Sequence, residues 1–151
     1  MAIGIGDKAP EFSLPGTGAR SYALSEFAGS PVVLVFYPGD NTPVCTKQLC
    51  SYNTNLAEFE SVGAQVLAIS PQGVESHETF SSKQGGFKFP LLADEDKKVF
   101  GLYGCLGPLG FPRRSAFVID GSGIIRYAHR AVAGLTYRQT DELIEAVRAA
   151  R

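Results

Sequence analysis

Pro31 is followed by six residues, Val32-Val33-Leu34-Val35-Phe36-Tyr37, none of them charged and all β-branched, aliphatic or aromatic. A strand lying against water on one side alternates polar and apolar residues; this one does not, so it needs cover on both faces. The run is roughly a third of the ~20 residues that a helix needs to cross a bilayer, which makes it a core strand and not a membrane span. A central strand covered on both sides means a layered α/β domain, and the rest of the chain has to supply the layers.

It does so in order. Pro38-Gly39-Asp40-Asn41 breaks the strand, and Thr42-Pro43 reads as an N-cap followed by proline at the first helical position. The helix predicted from there runs to about Glu60, with Leu49, Tyr52, Leu56 and Phe59 forming its apolar face and Gly63 ending it. Ala64 to Ser70 is a second buried strand, Val74 to Lys83 a helix closed by Gly85-Gly86, and Phe87 to Leu92 an extended stretch. Asp94 is placed to cap a helix from Glu95 to Tyr103. Ser115 to Ile119 and Ile124 to His129 flank Asp120-Gly121-Ser122-Gly123 as an antiparallel hairpin, and Thr136 with Gln139 resembles a capping box for a helix from Tyr137 to Ala150. Ahead of all this, residues 1–30 form an extended lead-in with a short hairpin at Pro15-Gly16-Thr17-Gly18. Two strand-helix units followed by a hairpin and a helix imply a mixed sheet with helices on both faces.

The whole chain, residues 1–151, fits one domain, and at this length folding removes roughly 70% of the unfolded surface, enough for a core without staples. With 14 Lys and Arg against 15 Asp and Glu, the net charge of −1 speaks against a broad nucleic-acid or membrane footprint. Met1 to Pro10 has no secretory pattern, so a reducing cytoplasm is expected, where three cysteines are more readily redox-active or buried than a disulfide framework.

With Thr42 as the N-cap, Cys45 is the third helical residue, where unpaired backbone N–H groups and the positive end of the helix dipole favour an anion. The thiolate is the attacking form of cysteine. Read on spacing alone, a small core residue at a helix start accounts for Cys45 about as well. Cys50 shifts that balance, because a second thiol five residues on could capture a sulfenic acid. The spacing is not Cys-x-x-Cys, and zinc would need His77 and His129 to converge from far apart. Arg114 stands beside Arg113 and on composition alone reads as a surface cation. Cys105 reads as a small apolar filler, and the two histidines carry no pattern. Phe87, Phe89, Phe111 and Phe117 read as core residues, with Phe111 able to rim a pocket from its Gly/Pro-rich loop.

Pro38-x-x-x-Thr42-x-x-Cys45 resembles the active-site signature of the peroxiredoxins, and Cys45-Thr46-x-x-x-Cys50 resembles their Q-type, or bacterioferritin-comigratory-protein, subfamily. Gly6-Asp7-x-Ala9-Pro10-x-Phe12, Phe89-Pro90-Leu91-Leu92-x-Asp94 and Arg114-x-x-Phe117-Val118-Ile119-Asp120 extend the likeness along nearly the whole chain. The resemblance implies a thioredoxin-like fold and a thiol peroxidase that uses no metal, haem or flavin. It assigns Cys45 as the peroxidatic cysteine, Cys50 as the resolving one, Thr42 as a hydroxyl bonded to sulfur and peroxide, Pro38 as the shield of the pocket, and Arg114 as the polarising guanidinium. The chain departs from the subfamily at Gln48 and Asn53, where Glu and often Arg are usual, which resembles the exchange of an ion pair for neutral groups.

The implied activity is reduction of hydrogen peroxide or alkyl hydroperoxides, with a Cys45–Cys50 disulfide recycled by a thioredoxin-like donor. The alternative is a thioredoxin-fold redox sensor or adaptor switched by that disulfide. No segment follows the last helix to reach another subunit, so a monomer is expected.

Overall fold

The computed structural model describes residues 3–40, 43–131 and 140–150. Its seven strands form one sheet: β1 (Ser13–Gly16), β2 (Arg20–Ala23), β3 (Val32–Phe36), β4 (Gln65–Ser70), β5 (Leu91–Ala93), β6 (Ser115–Ile119) and β7 (Ile125–Arg130), in the order β2-β1-β5-β4-β3-β6-β7. β3 pairs in parallel with β4 on one side and antiparallel with β6 on the other. All five of its residues are buried, as the unbroken apolar run requires.

The helices are α1 (Pro43–Thr54), α2 (Leu56–Ser61), α3 (Val74–Lys83), α4 (Lys98–Leu102) and α5 (Thr140–Ala150). Successive β3 side chains point to opposite faces, and the core divides accordingly. Val33, Val35 and Tyr37 pack with Cys45, Leu49, Tyr52, Phe59, Phe80, Leu143 and Val147, so α1, α2, α3 and α5 cover that face. Val32, Leu34 and Phe36 pack on the other face with Val99, Phe100, Tyr103, Cys105 and Phe117, under α4. The expected mixed sheet with helices on both faces is what forms.

Three elements differ from expectation. The helix after the first core strand is two helices, because the Asn55 side-chain amide donates to the Ser51 carbonyl at 3.0 Å and its backbone leaves the helical region at ψ 17°. Leu56 and Phe59 therefore join the predicted apolar face from a separate helix, which Gly63 ends at φ +76°. The helix expected from Glu95 starts at Lys98, since Asp94 turns its carboxylate onto the Val99 and Phe100 N–H groups, at 3.2 and 2.8 Å, and leaves Lys97 at φ +60°. Of the stretch expected to be extended from Phe87, only Leu91–Ala93 is a strand, and the last helix is described from Thr140, its proposed cap at Thr136 lying outside the described residues. The hairpin at residues 15–18 forms, and Gly16 is needed there: a Cβ would stand 2.9 Å from the Leu91 carbonyl oxygen of the neighbouring strand.

Phe117 is wholly buried, with its ring 5.7 Å from Phe36 and 5.4 Å from Tyr103, both in edge-on geometry, and the Arg130 guanidinium 5.0 Å above it. Phe117→Ala is expected to cost about 3–5 kcal/mol, through lost transfer energy and the cavity left behind. Urea unfolding checks this: the midpoint should fall steeply with little change in slope.

Candidate active site

The site lies where β3 and β4 end at their carboxyl edges, the usual position for a ligand crevice in an open α/β sheet. The chain leaves β3 at Phe36, bends through Tyr37 to Asp40 and enters α1 at Pro43. Cys45 is therefore in the first turn of α1, with its side chain fully buried. Thr42 lies outside the described residues. Pro38 is half-buried within the bend.

The register of β6 brings Arg114 to this point. Ser115 pairs with Phe36, so the residue preceding Ser115 stands beside the end of β3. Arg114 is 4% exposed, and its Nη2 donates to Cys45 Sγ at 3.1 Å. Its Nη1 donates to Gln48 Oε1 at 2.5 Å, one helical turn beyond Cys45, and Gln48 Nε2 donates to the Tyr52 hydroxyl at 3.3 Å. The guanidinium fork is thus oriented by an amide that is itself oriented, so its charge is fixed against the sulfur before any reaction. Arg113 points elsewhere and donates to the carbonyls of Ala131 at 3.2 Å and Arg130 at 3.4 Å. Gln48 and Asn53 have separate partners. Asn53 instead ties the later part of α1 to the segment after α3, accepting from Lys88 N at 2.8 Å and donating to Gly86 O at 3.4 Å.

Cys50 lies on the same helix but is only partly buried, and its thiol donates to Gln84 Oε1 at 3.5 Å. Burial raises its pKa above the ordinary thiol range. With both cysteines inside α1, their Cα atoms are about 8.6 Å apart and their side chains diverge by roughly 140° around the axis. Cys105 is in the core on the opposite face of the sheet, and burial pushes its pKa up to about 11.

Beneath the bend is a polar network that the sequence did not reveal. Asp40 accepts from the Tyr37 hydroxyl at 2.7 Å, from Ser76 Oγ at 2.7 Å and from its backbone neighbourhood gains a further tie, its own N–H donating to Gln72 Oε1. His77 Nδ1 lies 2.7 Å from Asp40 Oδ2 and its Nε2 2.9 Å from the Leu92 carbonyl. Burial alone would raise the pKa of Asp40, but the bonds from His77, Ser76 and Tyr37 outweigh it and hold the carboxyl below its usual range. Tyr37 is pushed well above the phenol range by burial, then by the Asp40 charge and hydrogen bond and by the nearby Cys45. One signal was present in the sequence: Val74, His77 and Phe80 follow a three-residue step, which puts His77 on the buried side of α3 with Phe80.

Residues 5–128 match the AhpC/TSA family. The chain is 39% identical over 129 residues to the chloroplastic peroxiredoxin Q of Oryza sativa subsp. japonica, an alignment covering 84% of this chain and 59% of the rice protein. The chain thus spans less than two thirds of that relative's length. Among solved structures, the peroxidoxin BcpB of Mycobacterium tuberculosis superposes with a TM-score of 0.85 at 31% identity, covering 99% of each chain. The bacterioferritin comigratory protein of Xanthomonas campestris, from a structural study of its alkyl peroxide reduction, superposes with a TM-score of 0.81 at 33% identity, covering 91% of this chain and 90% of that one. The fold is the thioredoxin-like fold of these proteins. No helix among the described residues is long and apolar enough to cross a membrane.

The burial of Cys105 separates it from Cys50 in a simple assay. At pH 8, iodoacetamide is expected to modify Cys50 in the folded protein and to leave Cys105 untouched until urea is added, as read by peptide mass spectrometry. Early modification of Cys105 would contradict its placement in the core.

Proposed function

The chain belongs to the AhpC/TSA family, and from that premise we propose that it is a thiol-dependent peroxidase acting on hydrogen peroxide and alkyl hydroperoxides. The observation that carries this reading is the Arg114 guanidinium 3.1 Å from a cysteine sulfur in the first turn of a helix. Cys45 attacks the terminal oxygen of ROOH as the thiolate. An S–O bond forms as the O–O bond breaks, the sulfur loses two electrons, and the departing RO⁻ takes up a proton to leave as an alcohol, or as water from hydrogen peroxide. Arg114, already fixed, and the free N–H groups of the helix start stabilise the charge that develops on the leaving oxygen. Thr42 and Pro38 are proposed to complete the pocket as a hydroxyl donor and a wall.

The sulfenic acid of Cys45 then condenses with the Cys50 thiol, forming the disulfide and releasing water. A disulfide rarely spans more than about 7 Å between Cα atoms, which is less than the helical spacing, so the first turn of α1 has to unwind. A thioredoxin-like dithiol returns both cysteines to thiols and is itself oxidised to a disulfide. A reducing compartment such as the cytoplasm suits this cycle. Sustained consumption of peroxide distinguishes the enzyme from a sensor, which would be oxidised once and then wait on a partner.

Cys45→Ser should abolish turnover, while Cys50→Ser should reduce one equivalent of peroxide and then fail to recycle efficiently with a dithiol donor. Peroxide loss over many equivalents, followed with the donor present, checks both; activity of Cys45→Ser within a few-fold of the parent would overturn the reading. Arg114→Ala should slow the peroxide step by ~10²-fold or more, the usual loss for a charged donor at a developing oxyanion. Arg113→Ala should have much the smaller effect, since its partners are backbone carbonyls away from the sulfur. Competition kinetics for peroxide compares the two variants.

A further inference from the structure

Asp40 is the last described residue before α1 and is 7% exposed, yet it has four described ties, three to its carboxylate and one from its backbone N–H. Three of those ties lead away from the bend, two to α3 through Ser76 and His77 and one to Gln72, just past β4. His77 is the member that reaches furthest. Its ring is wholly buried and bonded at both nitrogens, to Asp40 in the bend and to the Leu92 carbonyl in β5. The backbone bonds of α3 are made separately, His77 N–H to the Gly73 carbonyl at 3.1 Å among them. A buried polar link of this kind is costly unless both ends are held, and it fixes geometry when they are.

We propose that His77 is a positioning residue of the peroxide site, a latch that fastens the bend before α1 to α3 and so sets how readily the first turn of α1 releases Cys45. The inference rests on the peroxidase reading above. Peroxide attack needs the folded turn, which keeps Cys45 against Arg114; disulfide formation needs the same turn unwound. Fastening the bend favours the first step and slows the second. Loosening it reverses both.

The two ring nitrogens can be tested separately, because an asparagine amide nitrogen falls near the position of Nδ1 and a glutamine amide nitrogen near that of Nε2. His77→Asn retains a donor toward Asp40 and loses the Leu92 bond; His77→Gln does the opposite. Quenched-flow mass spectrometry after one equivalent of hydrogen peroxide reads sulfenic acid and disulfide on the same sample. His77→Gln is expected to slow sulfenic acid formation on the order of tenfold, the scale of a modest misplacement at a reacting group, and to speed disulfide formation several-fold. His77→Asn should stay within about twofold of the parent on both steps, as a rescue of the bend contact. Asp40→Asn should reproduce the glutamine split and stands in if His77→Gln does not fold. Phe80→Leu, one turn along α3, should lower the melting temperature without splitting the rates.

Equal behaviour of the asparagine and glutamine variants overturns the latch, as does a fall in both rates together. A parent protein whose Cys45 is not oxidised by peroxide would instead overturn the peroxidase reading, and the latch with it.

Discussion

The candidate site depends on one contact, the Arg114 guanidinium 3.1 Å from the Cys45 sulfur, and its two sides come from distant parts of the chain. Arg114 reaches Cys45 only because β6 runs antiparallel to β3 with Ser115 opposite Phe36. A shift of one residue would turn Arg114 away, as it would every β6 side chain that now packs in the core. The site is therefore specified by the same register that buries Ala116 and Val118 on the Cys45 face and Phe117 on the other. Gln48 completes the arrangement from within the helix. It gives up one amide oxygen to Arg114 and is steadied by Tyr52, so the fork does not depend on a carboxylate for its direction.

In the proposed cycle α1 has two incompatible tasks, a rigid first turn for attack and a released one for resolution. Its later part is held by Leu49 and Tyr52 in the core and by the two Asn53 bonds to residues 86–88, and the chain is held again at Asn55, which donates to Thr140 of α5 at 3.3 Å. Its early part is held through Cys45 and Gln48, both bonded to Arg114, with Gln48 braced in turn by Tyr52. In that cycle a folded first turn would keep the sulfenic acid from Cys50 and leave it open to further oxidation.

Much of this was legible in the sequence because it is carried by local patterns. The apolar run of β3 needed no context, and the bounds of α3, Val74 to Lys83, follow from its flanking glycines. Cys45 at a helix start follows from Thr42-Pro43. What was not legible depends on partners distant in sequence. The break at Asn55 reflects a side chain choosing the Ser51 carbonyl, and the late start of α4 reflects Asp94 reaching across a turn, both choices that periodicity does not encode. His77 and Asp40 are 37 residues apart and meet only when α3 packs under the bend. The partners of Gln48 and Asn53, Arg114 and the 86–88 segment, are likewise distant in sequence.

The two faces of the sheet then have different duties. On the face away from Cys45, Phe36, Phe100, Tyr103 and Phe117 pack with ring centroids 4.9–5.7 Å apart, three of the pairs edge-on and Phe36 with Tyr103 tilted. Such aromatic pairs add to the area they bury, as do Tyr52 with Phe59 and Phe80 with Phe87 on the Cys45 face. The unwinding proposed for the first turn of α1 would remove contacts on the Cys45 face and leave β3 covered from behind, with the Arg114 backbone still held at the start of β6. The cost of exposing Cys45 would thereby be confined to a few residues near the carboxyl end of β3. Such confinement would let one short helix lose its beginning and regain it within each proposed cycle while the fold around it persists.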